Sequence, residues 1–246
     1  MRGENRLQVF VGEEGRDWLC PSNPENQKLE LESMLEVARK YDVDGLHFDY
    51  IRYPGAQGCY CDGCRERFQA QTGRQVADWP KDCYSGTLRD AYRDWRCEQI
   101  TRLVEAVHRE AKKIKPAIKI SAAVFGAYPD CRQSVGQDWP VWIKAGYLDF
   151  VCPMDYTESD LSFSNLVANQ LRLVEGRIPV YPGIGATASR ATLTADRVAG
   201  QIYHARRLGA AGFTIFNLQE GTAGEILPAV GLGATSEPAI PPHRAR

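Results

Sequence analysis

The sequence predicts an α/β protein built on a parallel sheet, and three observations predict it. Apolar segments of strand length alternate with amphipathic helical segments from about residue 20 onward. The strand segments are close to continuously apolar, as strands covered on both faces are. The helical segments start and stop on capping and breaking residues. Residues 24–40 form the first helix: Asn23 caps it, Pro24 suits its first position, Glu25 favours its positive end, and Leu31, Met34, Leu35 and Ala38 recur at helical spacing. A strand over 44–52 follows, then a cysteine-rich loop and a short helix at 64–71. The longest helix covers 88–115, with Tyr92, Trp95, Ile100, Leu103, Val104 and Val107 on one side and Pro116 as its stop. Then come a strand at 118–125, a short helix at 141–145, a strand at 148–154, a helix at 166–174, and a strand at 178–182 that leaves through Gly183-Ile184-Gly185. A helix at 195–208 stops at Gly209, and the last strand is 212–217.

Strands alternating with helices imply right-handed parallel crossovers. A closed barrel needs eight strands, in roughly 250 residues on average. This chain of 246 residues shows five strands, and LQVFVG near its start offers at most one short extra strand or a hairpin. Two architectures stand open on these residues: an open five-stranded sheet, or the C-terminal part of a barrel whose first three strands are missing. Residues 1–226 are expected to form this domain, and 227–246, rich in Gly, Pro and Ala, a loose tail.

The totals exclude some classes of function. Net charge is −1 with the two signs interspersed, which gives no basic footprint for nucleic acid. No apolar run is long enough to span a bilayer. The opening residues, MRGENRLQ, are too polar for a signal peptide. Oligomeric state is left open.

The chemistry concentrates at strand exits. In YDVDGLHFDYIRYP (residues 41–54), Leu46 and Phe48 supply the face turned to the helices, so His47 and Asp49 face the other way. Ionisable groups there are costly to bury unless they are paired or used, and in α/β barrels that end of a strand carries the active site. Two further exits release carboxylates beside aromatic or amide groups: Asp155-Tyr156 after FVCPM, and Glu220 after FNLQ, the latter further into its loop. Glycoside hydrolysis uses two carboxylates flanking one glycosidic bond. Asp49 and Asp155 are the expected catalytic pair, although a strand-end Asp also serves as a helix cap or an arginine anchor. His47, Tyr50, Arg52, Tyr53, Trp139, Tyr156 and Glu220 are the expected sugar-binding residues, aromatic faces stacking on rings and polar groups taking hydroxyls. Cys152 reads as an outward core residue, and the GIG exit as a tight turn that leaves room for substrate.

Cys59, Cys61 and Cys64 form C-x-C-x2-C directly after the Asp49 strand. Three close thiols suit a tetrahedral zinc, with Cys20 as fourth ligand and Cys83 as its rival. A disulfide from Cys20 or Cys83 to one of the three is the alternative in an oxidising compartment. An all-cysteine zinc has no open position and is structural; no cofactor is expected for catalysis.

WLCPSNPENQ (18–27), YDVDGLHFDYIRYP, ISAAVFGAYP (120–129), QDWPVWIKAGYLDFVCPMDYT (137–157), PVYPGIGAT (179–187) and GFTIFNL (212–218) together resemble glycosyl-hydrolase-like family ten. This is a bacterial family, formerly a domain of unknown function, that includes periplasmic peptidoglycan glycan hydrolases. The resemblance covers the C-terminal two-thirds of that family's pattern. It implies a (β/α)8 TIM barrel with residues 44–52 as strand four, hence strands four to eight here. It implies that His47, Asp49 and Arg52 match the strand-four signature and Asp155 the strand-six signature, and that the protein is secreted or periplasmic, its signal peptide lost with the missing N-terminus. The C-x-C-x2-C with an upstream Cys-Pro is similar to the four-cysteine zinc site of some barrel β-galactosidases. The expected function is an O-glycosyl hydrolase acting on a polysaccharide or peptidoglycan-type glycan. A non-catalytic carbohydrate-binding barrel and an inactive truncated fragment are the rival expectations.

Overall fold

The computed structural model describes residues 6–12, 17–189 and 191–239. The polar opening residues 1–5 and the last part of the expected tail, 240–246 with His243, lie outside the described residues. The strands are β1 (Gly45–Phe48), β2 (Lys119–Phe125), β3 (Phe150–Met154), β4 (Gly183–Gly185), β5 (Thr187–Ala188), β6 (Ala191–Thr192) and β7 (Thr214–Phe216). The helices are α1 (Pro24–Lys40), α2 (Asp62–Thr72), α3 (Lys81–Tyr84), α4 (Arg89–Ile114), α5 (Asp130–Val135), α6 (Trp139–Lys144), α7 (Asp160–Val174), α8 (Ala195–Leu208) and α9 (Leu227–Gly231). A π-helical turn, Thr222–Ile226, precedes α9. β1, β2, β3, β4 and β7 pair in that order, all parallel, as a curled half-barrel sheet. β5 and β6 form a separate antiparallel pair. LQVFVG enters no strand; Leu7 and Phe10 make isolated antiparallel bridges to Leu19 and Gly58.

The chain divides into two compact units. The first contains residues 6–12, 17–43, 50–118 and 129–142 of the described chain. Its long helices are set by local signals. Asn23 Oδ1 accepts from the Glu25 and Asn26 N–H groups at the start of α1, as its sequence predicts. α1 and α4 pack against each other, and Leu35 on the first and Ile100, Val104, Val107 and Ala111 on the second are buried. A run of ring contacts links Tyr60, Trp79, Tyr92, Phe68 and Trp95 at centroid distances of 5.2 to 5.8 Å. Its tightest link to the cysteine loop is Tyr92 Oη, which donates to the Cys59 carbonyl at 2.6 Å.

The second unit contains residues 44–49, 119–128 and 143–239 of the described chain, and so the whole parallel sheet. α7 and α8 cover β4 through Phe163, Val167, Ile184, Val198 and Ile202. Val230 and Ala234 join the same core, so residues 227–234 are packed structure and not the start of a loose tail. The ladder pairs His47 with Ser121 and Ser121 with Phe150, which puts these three on one face. Cys152, two residues on from Phe150, shares that face with His47 and is only partly buried. This corrects its expected outward placement.

Candidate active site and cysteine cluster

The expected site residues fall into two groups, one in each unit. In the second unit, β1 places His47 and Asp49 on the exposed face and buries Leu46 and Phe48, as alternation predicts. His47 Nδ1 and Ser121 Oγ are hydrogen-bonded at 2.8 Å. Partial burial against the sheet pulls the His47 imidazole below its ordinary range, and the Asp49 carboxylate opposes that pull. Asp49 stands at the strand exit with its side chain open to solvent. Tyr156, leaving β3, stacks on Phe216 at the end of β7 with centroids 5.2 Å apart and 21° between planes. Burial, and next the negative charge of Asp49, push the Tyr156 phenol up to about 12, so it stays protonated at neutral pH.

The glycines expected to form a strand exit are β4 itself, and they serve this tyrosine. A Cβ on Gly185 would lie 2.9 Å from Tyr156 Cβ, and one on Gly183 would lie 3.1 Å from Tyr156 Cε1. The space those glycines leave is therefore filled by the Tyr156 ring and not held open for substrate. Beside it, Thr187 Oγ1 donates to Asn217 Oδ1 at 2.7 Å. Glu220 is exposed in the segment before the π-helical turn.

Asp155 does not stand where a substrate could reach it. Its side chain is fully buried, with Oδ1 accepting from Gln170 Nε2 at 2.6 Å and Oδ2 without a partner. Gln170 Nε2 also donates to the Gly126 carbonyl at 3.2 Å. Phe150, Cys152 and Met154 take the sheet face shared with His47, so Val151, Pro153 and Asp155 take the helix-covered one. Burial raises the Asp155 carboxyl well above the carboxylate range, and Gln170 only partly offsets this. A neutral acid in the fold and an ionised one in the unfolded chain make stability fall with rising pH, starting near the free value of about 3.9. Asp155→Asn is therefore expected to match the wild type in urea denaturation at pH 3.5. It should gain on it by up to about 1.4 kcal/mol per pH unit above pH 4. A difference that stays constant with pH would contradict the neutral assignment.

In the first unit, Tyr50 and Arg52 keep exposed surface, and Tyr53 and Trp139 do not. The Arg52 guanidinium lies 4.7 Å from the Tyr50 ring centroid and 5.5 Å from that of Trp18, whose ring is 5.9 Å from Tyr50. Tyr50 is 64% exposed and has a left-handed backbone, φ 53°, which an L residue adopts only under constraint. Trp18 was not anticipated as part of this cluster, although it opens the WLCPSNP segment that carries Cys20. Tyr53 is wholly buried beneath Arg96, whose guanidinium is 4.2 Å from its ring, and Trp139 is wholly buried as well. Neither presents a face to a sugar, which corrects both assignments.

The same unit assembles Cys20, Cys59, Cys61 and Cys64. The four are buried, and their sulfurs all lie within 4.8 Å of one another, Cys20 to Cys64 at 3.4 Å and Cys20 to Cys61 at 3.9 Å. None of the eight cysteines is disulfide-bonded in this structure, and Cys83 lies outside the cluster. Zinc–sulfur bonds of about 2.3 Å in a tetrahedron put sulfurs about 3.8 Å apart. The donor set thus fits such an ion in number, type and spacing. The contact with Cys59, followed by those with Cys61 and Cys64, holds the Cys20 thiol far below the usual thiol range, whereas the Cys20 contact pushes Cys59 up. Four thiols this close cannot ionise independently.

No described helix is long and apolar enough to cross a membrane. Against solved structures, the chain matches the glycoside hydrolase domain of PgaB (BpsB) from Bordetella bronchiseptica with a TM-score of 0.71 and 15% identity, covering 86% of this chain and 64% of that one. A beta-galactosidase from Bacillus circulans sp. alkalophilus matches with a TM-score of 0.59 and 18% identity, covering 91% of this chain and 39% of that one. At such identities the likeness is one of fold. Among relatives by sequence are the S-layer-related protein of Niallia circulans (26% identical, 74% of this chain, 14% of that protein) and glycosyl hydrolase YngK of Bacillus subtilis (25%, 55% and 27%). Glycosyl hydrolase DigH of Escherichia coli is 25% identical over 57% of this chain and 34% of its own length. The chain spans about a third or less of these relatives. The model of the glycosyl hydrolase-like 10 family matches residues 4–181, and the chain belongs to that family.

Proposed function

We propose that this protein hydrolyses O-glycosidic bonds of a polysaccharide or peptidoglycan-type glycan, with Asp49 as the carboxylate at the reacting centre. The observation that carries the reading is Asp49's position: an exposed acid at the exit of a parallel strand, on the face that also carries His47. The Tyr156 phenol lies within reach of its electrostatic field. Family membership supports glycan hydrolysis at the coarse level. In this reading Asp49 exchanges a proton with the glycosidic oxygen or with water, Tyr156 donates its retained proton to a sugar hydroxyl or to Asp49, and His47, fixed by Ser121, binds as neutral imidazole. The Tyr156–Phe216 stack closes one side of the sugar site. Asp155, sealed behind the sheet, holds the strand end that presents Tyr156. Of the strand-end acids singled out from the sequence, Glu220 is the other exposed one, and it replaces Asp155 as the partner carboxylate. The four cysteines hold one structural zinc, with no part in bond cleavage.

A second reading is a carbohydrate-binding barrel without turnover, and the burial of Asp155 favours it by removing one of the two expected acids. Turnover of the intact gene product on a panel of polysaccharide and peptidoglycan fragments separates the two. Asp49→Asn is expected to lower kcat by about 10²–10⁴-fold while glycan binding persists. Unchanged turnover in that variant would remove Asp49 from the chemistry, and binding without turnover in the wild type would establish the second reading.

A further inference from the structure

We propose that Arg67 and Ser22 form a hydrogen-bond relay onto the sulfurs of the cysteine cluster and set how firmly it keeps its metal. The inference rests on the structural zinc proposed above. Arg67 donates to Ser22 Oγ through Nε at 3.1 Å and through Nη2 at 3.0 Å, and Nη2 also lies 3.8 Å from Cys20 Sγ. Ser22 Oγ in turn lies 3.3 Å from Cys20 Sγ and 3.2 Å from Cys64 Sγ. A guanidinium can only donate, so Ser22 Oγ accepts from it, and the single hydroxyl hydrogen is left for a sulfur. A metal-bound thiolate can only accept. The chain of donors therefore runs one way, from Arg67 to Ser22 to Cys20 or Cys64.

Charge gives the relay its purpose. Zinc with four thiolates carries a net charge of about −2, which is costly to bury unless opposite charge is brought to it. Among the described residues the side-chain hydrogen-bond partners of Arg67 are Ser22 Oγ and Cys20 Sγ, and no carboxylate pairs with it, so the sulfur cluster is the counter-charge its guanidinium faces. The sequence builds this locally. Arg67 follows Cys64 by three residues on α2, which places both on one helix face, and Ser22 follows Cys20 by two residues in the turn closed by Asn23 N–H on the Cys20 carbonyl. Gly63 makes space for the guanidinium: a Cβ there would lie 2.8 Å from Arg67 Nη1 and 3.0 Å from Nη2. Ser22 itself is only 5% exposed, so water does not compete freely for its hydroxyl.

The test uses full-length protein as wild type, Arg67→Met, Ser22→Ala and Ser22→Thr. Zinc is titrated against a chromophoric chelator of known affinity, and Co²⁺ replaces zinc for absorption spectra. Arg67→Met and Ser22→Ala are expected to bind zinc about 10–100-fold more weakly. Their thiolate-to-cobalt charge-transfer bands should move to lower energy, because a sulfur that loses a hydrogen bond gives up electron density more readily. Ser22→Thr, which keeps the hydroxyl, should restore both affinity and band position. Wild-type affinity and spectrum in Arg67→Met and Ser22→Ala would overturn the relay while leaving the zinc in place. A Ser22→Thr variant as weak as Ser22→Ala would show a packing effect and overturn it too. A wild type that binds neither metal would refute the zinc, and the relay with it.

Discussion

Removing the proposed zinc, by chelation or by Cys64→Ser, is expected to unfold the first unit. Metal binding by structural four-ligand zinc sites contributes about 10–16 kcal/mol of folding free energy at neutral pH. A whole domain is stable by only about 5–15 kcal/mol. The four sulfurs are buried and within 4.8 Å of one another, so without an ion they crowd together with no room for independent charge. The optical reporters are at hand: Tyr92, hydrogen-bonded to the Cys59 carbonyl, stacks with Tyr60 and Trp95. Near-UV circular dichroism should collapse on chelation, and elemental analysis should give about one zinc per chain before it and none after. Metal-free protein with an intact near-UV spectrum would refute the site.

The second large effect is expected from Gly126→Ala. A Cβ at this position would overlap Asp155 Oδ1 and lie 2.9 Å from Gln170 Nε2. Both groups are fully buried and bonded to each other, so neither can swing aside as a surface side chain would. Overpacking costs about 1–3 kcal/mol. Parting the Gln170–Asp155 pair leaves buried polar atoms unpaired at about 1–3 kcal/mol more. The variant should lose about 2–6 kcal/mol, a fall in Tm of roughly 10 °C for a chain of this size. In an Asp155→Ala background, where the obstructing carboxylate is gone, the same substitution should cost much less. An unshifted melt in Gly126→Ala would mean that Asp155 points elsewhere.

What the sequence reveals of this structure follows how local each determinant is. α1 begins at Pro24 and ends at Lys40, as its caps indicate, because Asn23, Pro24 and Glu25 act within a few residues of one another. The face of β1 is readable because two polar, ionisable positions, His47 and Asp49, alternate with two apolar ones. β3 offers no such mark. FVCPM is apolar throughout, so either parity fits the composition, and only pairing to β2 decides that Cys152 shares a face with His47 and that Asp155 turns toward Gln170. Tyr53 and Trp139 are misleading for a related reason. An aromatic in a polar loop resembles a sugar platform unless its cover is known, and the cover of Tyr53 is Arg96, a buried charge more than forty residues away. The β5–β6 pair and the short helices α3 and α5 are too brief to leave a periodicity. The cysteine cluster is legible because three of its cysteines lie within six residues, and Cys20 precedes the helix that leads into the strand before that loop.

With the proposed zinc as the nucleus, that uneven spacing implies an order of events when the chain folds. Cys59, Cys61 and Cys64, so close in sequence, would take up that ion in a still disordered polypeptide and leave one corner of the tetrahedron to solvent. Cys20 can fill that corner only after the intervening polypeptide has been drawn into place. The last sulfur to bind would thus act as a checkpoint on assembly.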